Sequence, residues 1–356
     1  MPSASLLKDG VVLSIDGSGG DAGARMVVEG IEYFLKHQGA NRRARFLIHG
    51  DEAKIAPLLR KNPRTRERSE VRHTTLAISG DEKPSTALRR GKGSSMWNMI
   101  ASVKQGEATV GVSAGNTGAL MAMSKLQLRM MQGVQRPAIA AIWPTSVGQS
   151  VVLDVGANIE SDAAQLTEFA VLGEAYFRAL FGKRCPTVGL LNIGTEELKG
   201  NATLKLAHER LRDSELDLDY QGYVEGSDIS RGQVDVVVTD GFTGNVALKT
   251  AEGTASMIGH MFDDALKGNV WSRITTALNA YALLQLRKRL DPRSVNGAVM
   301  LGLNGIIVKS HGGTDRTGFA YALLRALDLA SSDYRGELER RLDDFHIEDE
   351  NLGFIA

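Results

Sequence analysis

The feature that most constrains this chain is a recurring unit in which a short, almost wholly apolar run ends in a polar loop and gives way to a helical pattern. Strand-like runs of this kind occupy Val11 to Ile15, Arg45 to His49, Thr109 to Val112, Val151 to Asp154, Thr187 to Leu191 and Val234 to Thr239. In Val234-Asp235-Val236-Val237-Val238 nearly every position is apolar, not every second one. That pattern suits strands buried on both faces, as in a parallel sheet covered by helices. Three helical stripes supply the cover: Val27, Val28, Ile31, Phe34 and Leu35; Leu166, Phe169, Ala170, Phe177 and Leu180; and Phe319, Leu323, Ala326, Leu327 and Ala330. The expected fold is α/β, a mostly parallel sheet covered by helices on both faces.

At 356 residues the chain is long enough to bury a full core. Residues 1–331 read as a single α/β catalytic domain with an amphipathic helical insertion at about 262–290, and 332–356 as a charged C-terminal helix or tail. The polar run Lys61 to Glu70 reads as a solvated surface loop. Forty-two basic residues balance forty-two acidic ones, and aromatic content is 6%. No global field or stacking surface therefore draws the chain to nucleic acid. The single cysteine, Cys185, excludes an intrachain disulfide and a cysteine-cluster metal site, and fits a reducing cytoplasm. No metal or cofactor is expected. The opening MPSASLLKDG lacks the basic-then-apolar order of a secretion signal. No apolar stretch approaches the ~18 residues of a spanning helix.

Chemistry concentrates in the loops. The strand Thr109 to Val112 leads through Ser113-Ala114-Gly115-Asn116-Thr117-Gly118 into the helical Ala119-Leu120-Met121-Ala122-Met123. Small residues, an amide and two hydroxyls at a helix start form an anion pocket, since unpaired N–H groups and the helix dipole both favour negative charge. The stretch Gly111 to Gly115 also matches G-x-S-x-G, and Asp240 and His311 follow in the Ser, Asp, His order. A serine hydrolase or thioesterase using Ser113 is therefore the alternative. Against it, Gly115 to Gly118 separates the serine from its helix, where a nucleophile elbow would turn at once.

Asp16-Gly17-Ser18-Gly19-Gly20-Asp21 imitates a dinucleotide fingerprint, but the acidic residue that should follow about 20 positions on is not clear. Two flanking aspartates would also repel a pyrophosphate. Asp16, Gly19, Gly20 and Asp21 instead suggest a structural or substrate loop. Lys83, Arg89, Arg90 and Lys92 form the densest cationic segment, beside small hydroxyls that include Ser85, suited either to an anionic substrate or to a solvated helix end. Polar loops also follow strands at Asn192 to Asn201, at Asp240 to Asn245 and at Lys309 to Asp315, the last containing His311. In open α/β sheets such loops gather at the carboxyl edge, where ligands bind. From Phe262 to Leu290, Trp271, Ile274 and Leu278 stand beside Arg287 and Lys288, a basic amphipathic pattern fitting a membrane surface, a dimer helix or core packing.

Taken together the loops resemble the bacterial phosphate acyltransferase family, the acyl-carrier-protein:phosphate transacylases, over nearly the whole chain. The resemblance rests on Asp16 to Asp21, Asp81-Glu82-Lys83-Pro84-Ser85, VSAGNTGALMA, Leu153-Asp154-Val155-Gly156-Ala157-Asn158, Gly189 to Gly194, Asp240 to Asn245, and Leu301-Gly302-Leu303-Asn304-Gly305. Two places depart from the family pattern: Gly17-Ser18 stands where Ala-Met is usual, and Gly312-Gly313-Thr314 where Gly-Ser-Ser is usual. Both keep the flanking glycines and acids, so the departures bear on acyl-chain preference.

The resemblance implies a Rossmann-like α/β/α sandwich related to phosphotransacetylases and isocitrate-type dehydrogenases, and a homodimer. It also implies attack of inorganic phosphate on the thioester of a fatty acyl-carrier protein, yielding acyl phosphate for phospholipid synthesis. A peripheral membrane contact would pass that product to a membrane-bound glycerol-phosphate acyltransferase. Phosphate is already an anionic nucleophile, so the protein need only position it and stabilise the oxyanion. On that reading Ser113, Asn116 and Thr117 bind phosphate or the oxyanion, and Asn192, Asp240 and Asn245 orient the acyl carbonyl or phosphate. Lys83, Ser85 and Arg89 neutralise anions, His311 protonates the leaving thiolate, and Lys92, Arg287 and Lys288 steer the acidic carrier. A third class, a non-catalytic lipid or carrier-protein binding module, would associate without turnover.

Overall fold

A computed structural model describes residues 10–38, 43–267, 281 and 291–351. Eleven strands form its sheet: β1 (Val11–Asp16), β2 (Ala44–Gly50), β3 (Ser69–His73), β4 (Val110–Ser113), β5 (Ala138–Pro144), β6 (Gln149–Leu153), β7 (Thr187–Leu191), β8 (Asp219–Val224), β9 (Val236–Val238), β10 (Ala298–Leu301) and β11 (Ile306–Lys309). Their order is β3-β2-β1-β4-β11-β10-β5-β6-β9-β7-β8. The first five are mutually parallel, as are the last four. Between them, β10 pairs antiparallel with both β11 and β5, and β5 pairs antiparallel with β6. Three reversals in a row leave the second parallel block running opposite to the first.

Alternate side chains of the central strands point to opposite faces. Ala138, Ala140, Val151, Leu153, Val236 and Val238 join one apolar core, while Ile139, Ala141, Val152, Val237 and Met300 join the other. The first is covered by the three helices whose stripes the sequence predicts, Gly23–His37, Ala163–Phe181 and Arg316–Ser331. The second lies under the helices Ser95–Lys104, Thr117–Leu128 and Gly241–Lys267. The last two begin at loops singled out above. Among the described residues no helix is long and apolar enough to cross a membrane.

The run Lys61 to Glu70 is not a loop. Pro63–Arg68 is helical and Ser69 begins β3. Proline suits the first helical turn, and Thr65, fully buried, gives both its amide and its hydroxyl to the Glu32 carboxylate, at 2.9 and 3.1 Å. One internal partner is enough to dock an otherwise charged run.

The charged C-terminal segment is the helix Tyr334–Asn351. Tyr334, Leu338, Leu342 and Phe345 recur at helical spacing and are buried against the Ala163–Phe181 helix. Among them Arg341 reaches Glu174 Oε2 at 3.0 Å and donates to the Asp217 carbonyl at 2.9 Å. Burial raises the Glu174 carboxyl above its usual range, and Arg341 and Arg178 oppose that shift. Arg341→Ala leaves that carboxylate one partner short, and a loss of about 3 kcal/mol is expected. Urea unfolding checks this, and a loss below ~1 kcal/mol would rule out a structural role for the pair.

Candidate active site

The first loop cluster lies at the carboxyl ends of β1, β4 and β11. Asp16 ends β1 and is 2% exposed; Ser113 ends β4 and has no exposed surface. The Ser113 hydroxyl donates to Asp16 Oδ2 at 2.7 Å and accepts the Gly115 amide at 3.0 Å. Burial pushes the Asp16 carboxyl above its usual range, opposed by hydrogen bonds that include Ser113 and the Ser18 amide. The loops then lock onto one another: Ser310 N–H donates to the Ser113 carbonyl at 2.9 Å and Asp21 N–H to the Gly312 carbonyl at 3.0 Å. Gly20, at φ +83°, occupies the left-handed region, and a Cβ there would stand 3.0 Å from the Gly312 carbonyl.

Asn116 caps the Thr117–Leu128 helix by accepting the Ala119 amide at 2.9 Å, and its Nδ2 donates to the Gly80 and Glu82 carbonyls at 2.8 and 3.0 Å. That pin draws the Lys83–Ser85 segment to the helix start. Lys83, Ser85 and Arg89 are exposed there. Among the described residues the amides of Thr117 and Gly118 have no protein partner, as the first turn of a helix requires.

The second cluster is built on Asp154, wholly buried just beyond β6. Its carboxylate accepts the amides of Ile139, Gly156, Ala157 and Asn158 and the Asn158 side chain, at 2.7 to 3.1 Å. Against this nest sits the start of the Gly241–Lys267 helix, where the Asp240 carboxylate accepts the Thr243 amide and hydroxyl, both at 2.8 Å. A Cβ on Gly244 would stand 1.9 Å from the Asp154 carbonyl oxygen, so only glycine fits. Asn245 is exposed beside Gly156. Asn192, 7% exposed, turns its oxygen to the Ile193 amide at 2.8 Å and leaves its buried Nδ2 without a partner.

The Gly241–Lys267 helix joins the two clusters. It starts at the second, and its Glu252 lies 3.9 Å from His311 Nε2 in the first. His311 Nδ1 accepts the Gly313 amide at 3.1 Å, which puts the ring proton on Nε2, facing Glu252. Burial, and then Lys249, hold the imidazole below its usual range and so neutral near pH 7. Lys309 pairs in register with Ser113 and donates its ammonium to the Ser310 carbonyl. Burial, then repulsion from Lys249, lower its pKa to about 8, against the pull of Asp16 and Asp21.

The structure thus brings Asp16, Gly19, Gly20, Asp21, Ser113, Asn116, Thr117 and His311 into one cluster, with Lys83 and Ser85 adjoining, and Asp240 and Asn245 into another. Trp271, Ile274, Leu278, Arg287 and Lys288 lie outside the described residues. The sequence marks Lys309 and Asp154 only within longer segments, Lys309 to Asp315 and Leu153 to Asn158, with no role for either, and does not mark Lys249. The signal for Lys309 was a cation ending the apolar strand Ile306-Ile307-Val308 beside a glycine loop.

Residues 11–335 match the family model described as "Fatty acid synthesis protein". The chain is 54% identical to a phosphate acyltransferase of Maricaulis maris over 94% of its own length and 95% of that protein. It is also 54% identical to the one of Caulobacter vibrioides, over 94% and 92%. The chain belongs to the phosphate acyltransferase family. A solved phosphotransacetylase from Streptococcus pyogenes matches 90% of this chain and 94% of its own at TM-score 0.56 and 16% identity. A putative 4-hydroxythreonine-4-phosphate dehydrogenase from Salmonella typhimurium matches at 0.52 and 14%, covering 90% and 99%. These likenesses establish the fold, the phosphotransacetylase-like sandwich expected above.

Within a phosphate acyltransferase the serine-hydrolase alternative fits poorly. Ser113 has no exposed surface, and its hydroxyl is engaged by an aspartate and a backbone amide, not by a histidine. A nucleophile elbow needs the opposite on both counts. A serine-directed phosphonate should therefore leave Ser113 unlabelled by mass spectrometry. Ser113→Ala should cost about 1–3 kcal/mol in unfolding, because buried Asp16 loses a donor; stoichiometric labelling would reverse the assignment.

Proposed function

We propose that this chain transfers the acyl group of a fatty acyl-carrier protein to inorganic phosphate in the cleft between the two loop clusters. A phosphate oxygen forms a bond to the thioester carbonyl carbon and the carbon–sulfur bond breaks. Acyl phosphate leaves, and the hydrogen of hydrogenphosphate ends on the carrier thiol. The observation that carries the reading is the start of the Thr117–Leu128 helix, where the amides of Thr117 and Gly118 have no protein partner among the described residues, a ready anion site. Lys309, in register with Ser113 at the end of β4, adds a cation beside that loop. Backbone donors fixed in advance suit a developing oxyanion, because they need no reorganisation as charge builds.

In this reading Ser113 and Asn116 act as positioning residues, holding the loop that presents those amides. Asp240 sets the second helix start, Asn192 offers its partnerless Nδ2 to the acyl carbonyl, and Asn245, exposed beside Gly156, orients the carbonyl or phosphate with it. Lys83, Ser85 and Arg89 neutralise anions at the rim, and His311 Nε2–H hydrogen-bonds the leaving sulfur. Exposed Phe242, Val246, Met257, Ile258 and Met261 on the Gly241–Lys267 helix support an apolar contact. That contact would be a second copy of the chain in a homodimer, or a membrane bearing the glycerol-phosphate acyltransferase that takes the product. The site of action would be the cytoplasm, at the membrane periphery.

Acyl-phosphate formation from acyl-carrier protein, with phosphate varied and free fatty acid followed in parallel, tests the reaction. Saturable, phosphate-dependent acyl phosphate is the expected result, whereas free acid independent of phosphate would replace the reading with a thioesterase. Lys309 adds a pH test. Its ammonium is lost as pH rises through about 8, so the KM for phosphate should climb above that pH by up to about tenfold per unit. Lys309→Met should raise that KM at neutral pH and flatten the profile, and Lys309→Arg should keep it low across the range. A wild-type profile flat to pH 10 would remove Lys309 from phosphate binding.

A further inference from the structure

A cavity of about 650 Å³ opens beside the first turns of the Thr117–Leu128 helix. Its apolar wall is Met121, Ala122, Pro137, Ala157 and Ile159. Thr117, Met121 and Lys125 are spaced i, i+4, i+8, as Gly118 and Ala122 are i, i+4, so they share one face of the helix. The cavity therefore lies along the helix face that Thr117 and Gly118 begin, starting one turn further on at Met121 and Ala122. Its opposite wall continues from the Asp154 nest: buried Asn158 donates to the Pro137 carbonyl at 2.9 Å and to Asp154 at 3.0 Å, which fixes that wall in place. The cavity thus adjoins the Asp154 nest through Ala157 and Asn158 and ends one helical turn from Thr117.

Its charged groups lie away from the helix start. Lys125 and Arg136 are exposed, line the cavity, and have no ion-pair partner among the described residues. Glu160 shares the lining, so cations outnumber carboxylates two to one. Lys125 lies about 12 Å along the helix from Thr117, at 1.5 Å per residue. The matching ligand is a slender chain with an anion at its outer end and its reactive group at the helix start. A hydrocarbon tail would gain nothing from the two cations.

We propose that this cavity seats the phosphopantetheine arm of the acyl-carrier protein, with Lys125 and Arg136 on its phosphodiester and its thioester delivered to the Thr117 end. The assignment rests on the transacylase reading and specifies how the thioester is delivered. The carrier's charge would govern encounter, and this site would read the arm itself.

Binding of holo-carrier, which has the arm but no acyl group, is compared with apo-carrier, which has neither. The wild-type enzyme should bind holo-carrier more tightly. Lys125→Glu combined with Arg136→Glu should erase that difference, weakening holo binding about tenfold or more for the lost charge-assisted contacts. Glu160→Gln, which removes the opposing charge, should strengthen it. In turnover, the double variant should raise the KM for acyl-carrier protein, while the KM for phosphate and use of acyl-pantetheine, which lacks the phosphodiester, stay as in wild type. An unchanged holo-to-apo ratio, or an equal loss with acyl-pantetheine, would overturn the proposal. Ala122→Trp, which fills the cavity, should impair thioesters of every chain length alike. If it admitted short acyl chains and refused long ones, the cavity would hold the acyl tail and the proposal would fail. Absence of acyl phosphate from wild type with any thioester would instead sink the transacylase reading.

Discussion

The site depends on how two oppositely directed parallel blocks are joined. In a flat sheet, three successive antiparallel pairings would send the carboxyl ends of the two blocks to opposite edges, and their loops would never meet. Sheets are not flat, however; neighbouring strands rotate by roughly 20–25°. From β4 to β9 there are five such steps in the strand order, or roughly 100–125° in all. Strands that began antiparallel then meet at an acute angle, with both sets of loops turned toward a shared space. The 3.9 Å approach of Glu252 to His311 records that convergence. An uninterrupted parallel sheet would instead have placed every loop along one open edge.

Each cluster is organised in the same way, around an aspartate at a strand's end that is withdrawn from water and surrounded by donors. Asp16 gathers Ser113 and Ser18; Asp154 gathers four backbone amides and Asn158. A buried carboxylate left short of partners is costly, so each loop has one conformation that satisfies its aspartate. That fixes the direction of the neighbouring backbone N–H groups before any ligand arrives, and preorganised donors are the ones that stabilise developing charge.

Much of this was legible in the sequence, because burial on two faces leaves a plain mark. The three helical stripes and six of the strands follow from apolar patterning, and most of the loops that build the two clusters stand out as strand-end segments, whereas the turn from Asp154 to Asn158 stands out only through the family resemblance. The joining strands were less legible. Ala138 to Trp143 and Ala298 to Leu301 are apolar runs, but nothing local says whether such a run pairs parallel or antiparallel. The roles of polar residues were harder still. Ser113 looks available in the sequence, yet its hydroxyl is spent on Asp16, a residue 97 positions away in the chain. Lys309 looks like an ordinary surface lysine until β11 is laid beside β4 and its ammonium is drawn under the loops. Pairings of that range have no local signature.

The outermost strands close the sheet in a way that limits how the molecule meets others. β3 carries exposed Glu70, Arg72 and His73, side chains that oppose the docking of another strand along that border. At the other border, β8 contains Gly222 at φ +83°, and its register against β7 shifts between Val188 and Leu190. Such a bulge bends the strand and interrupts the row of groups on which an incoming chain would template. Neither border offers a straight, apolar rail, so growth of the sheet by strand addition is disfavoured at both ends, and association falls to helix faces and loops.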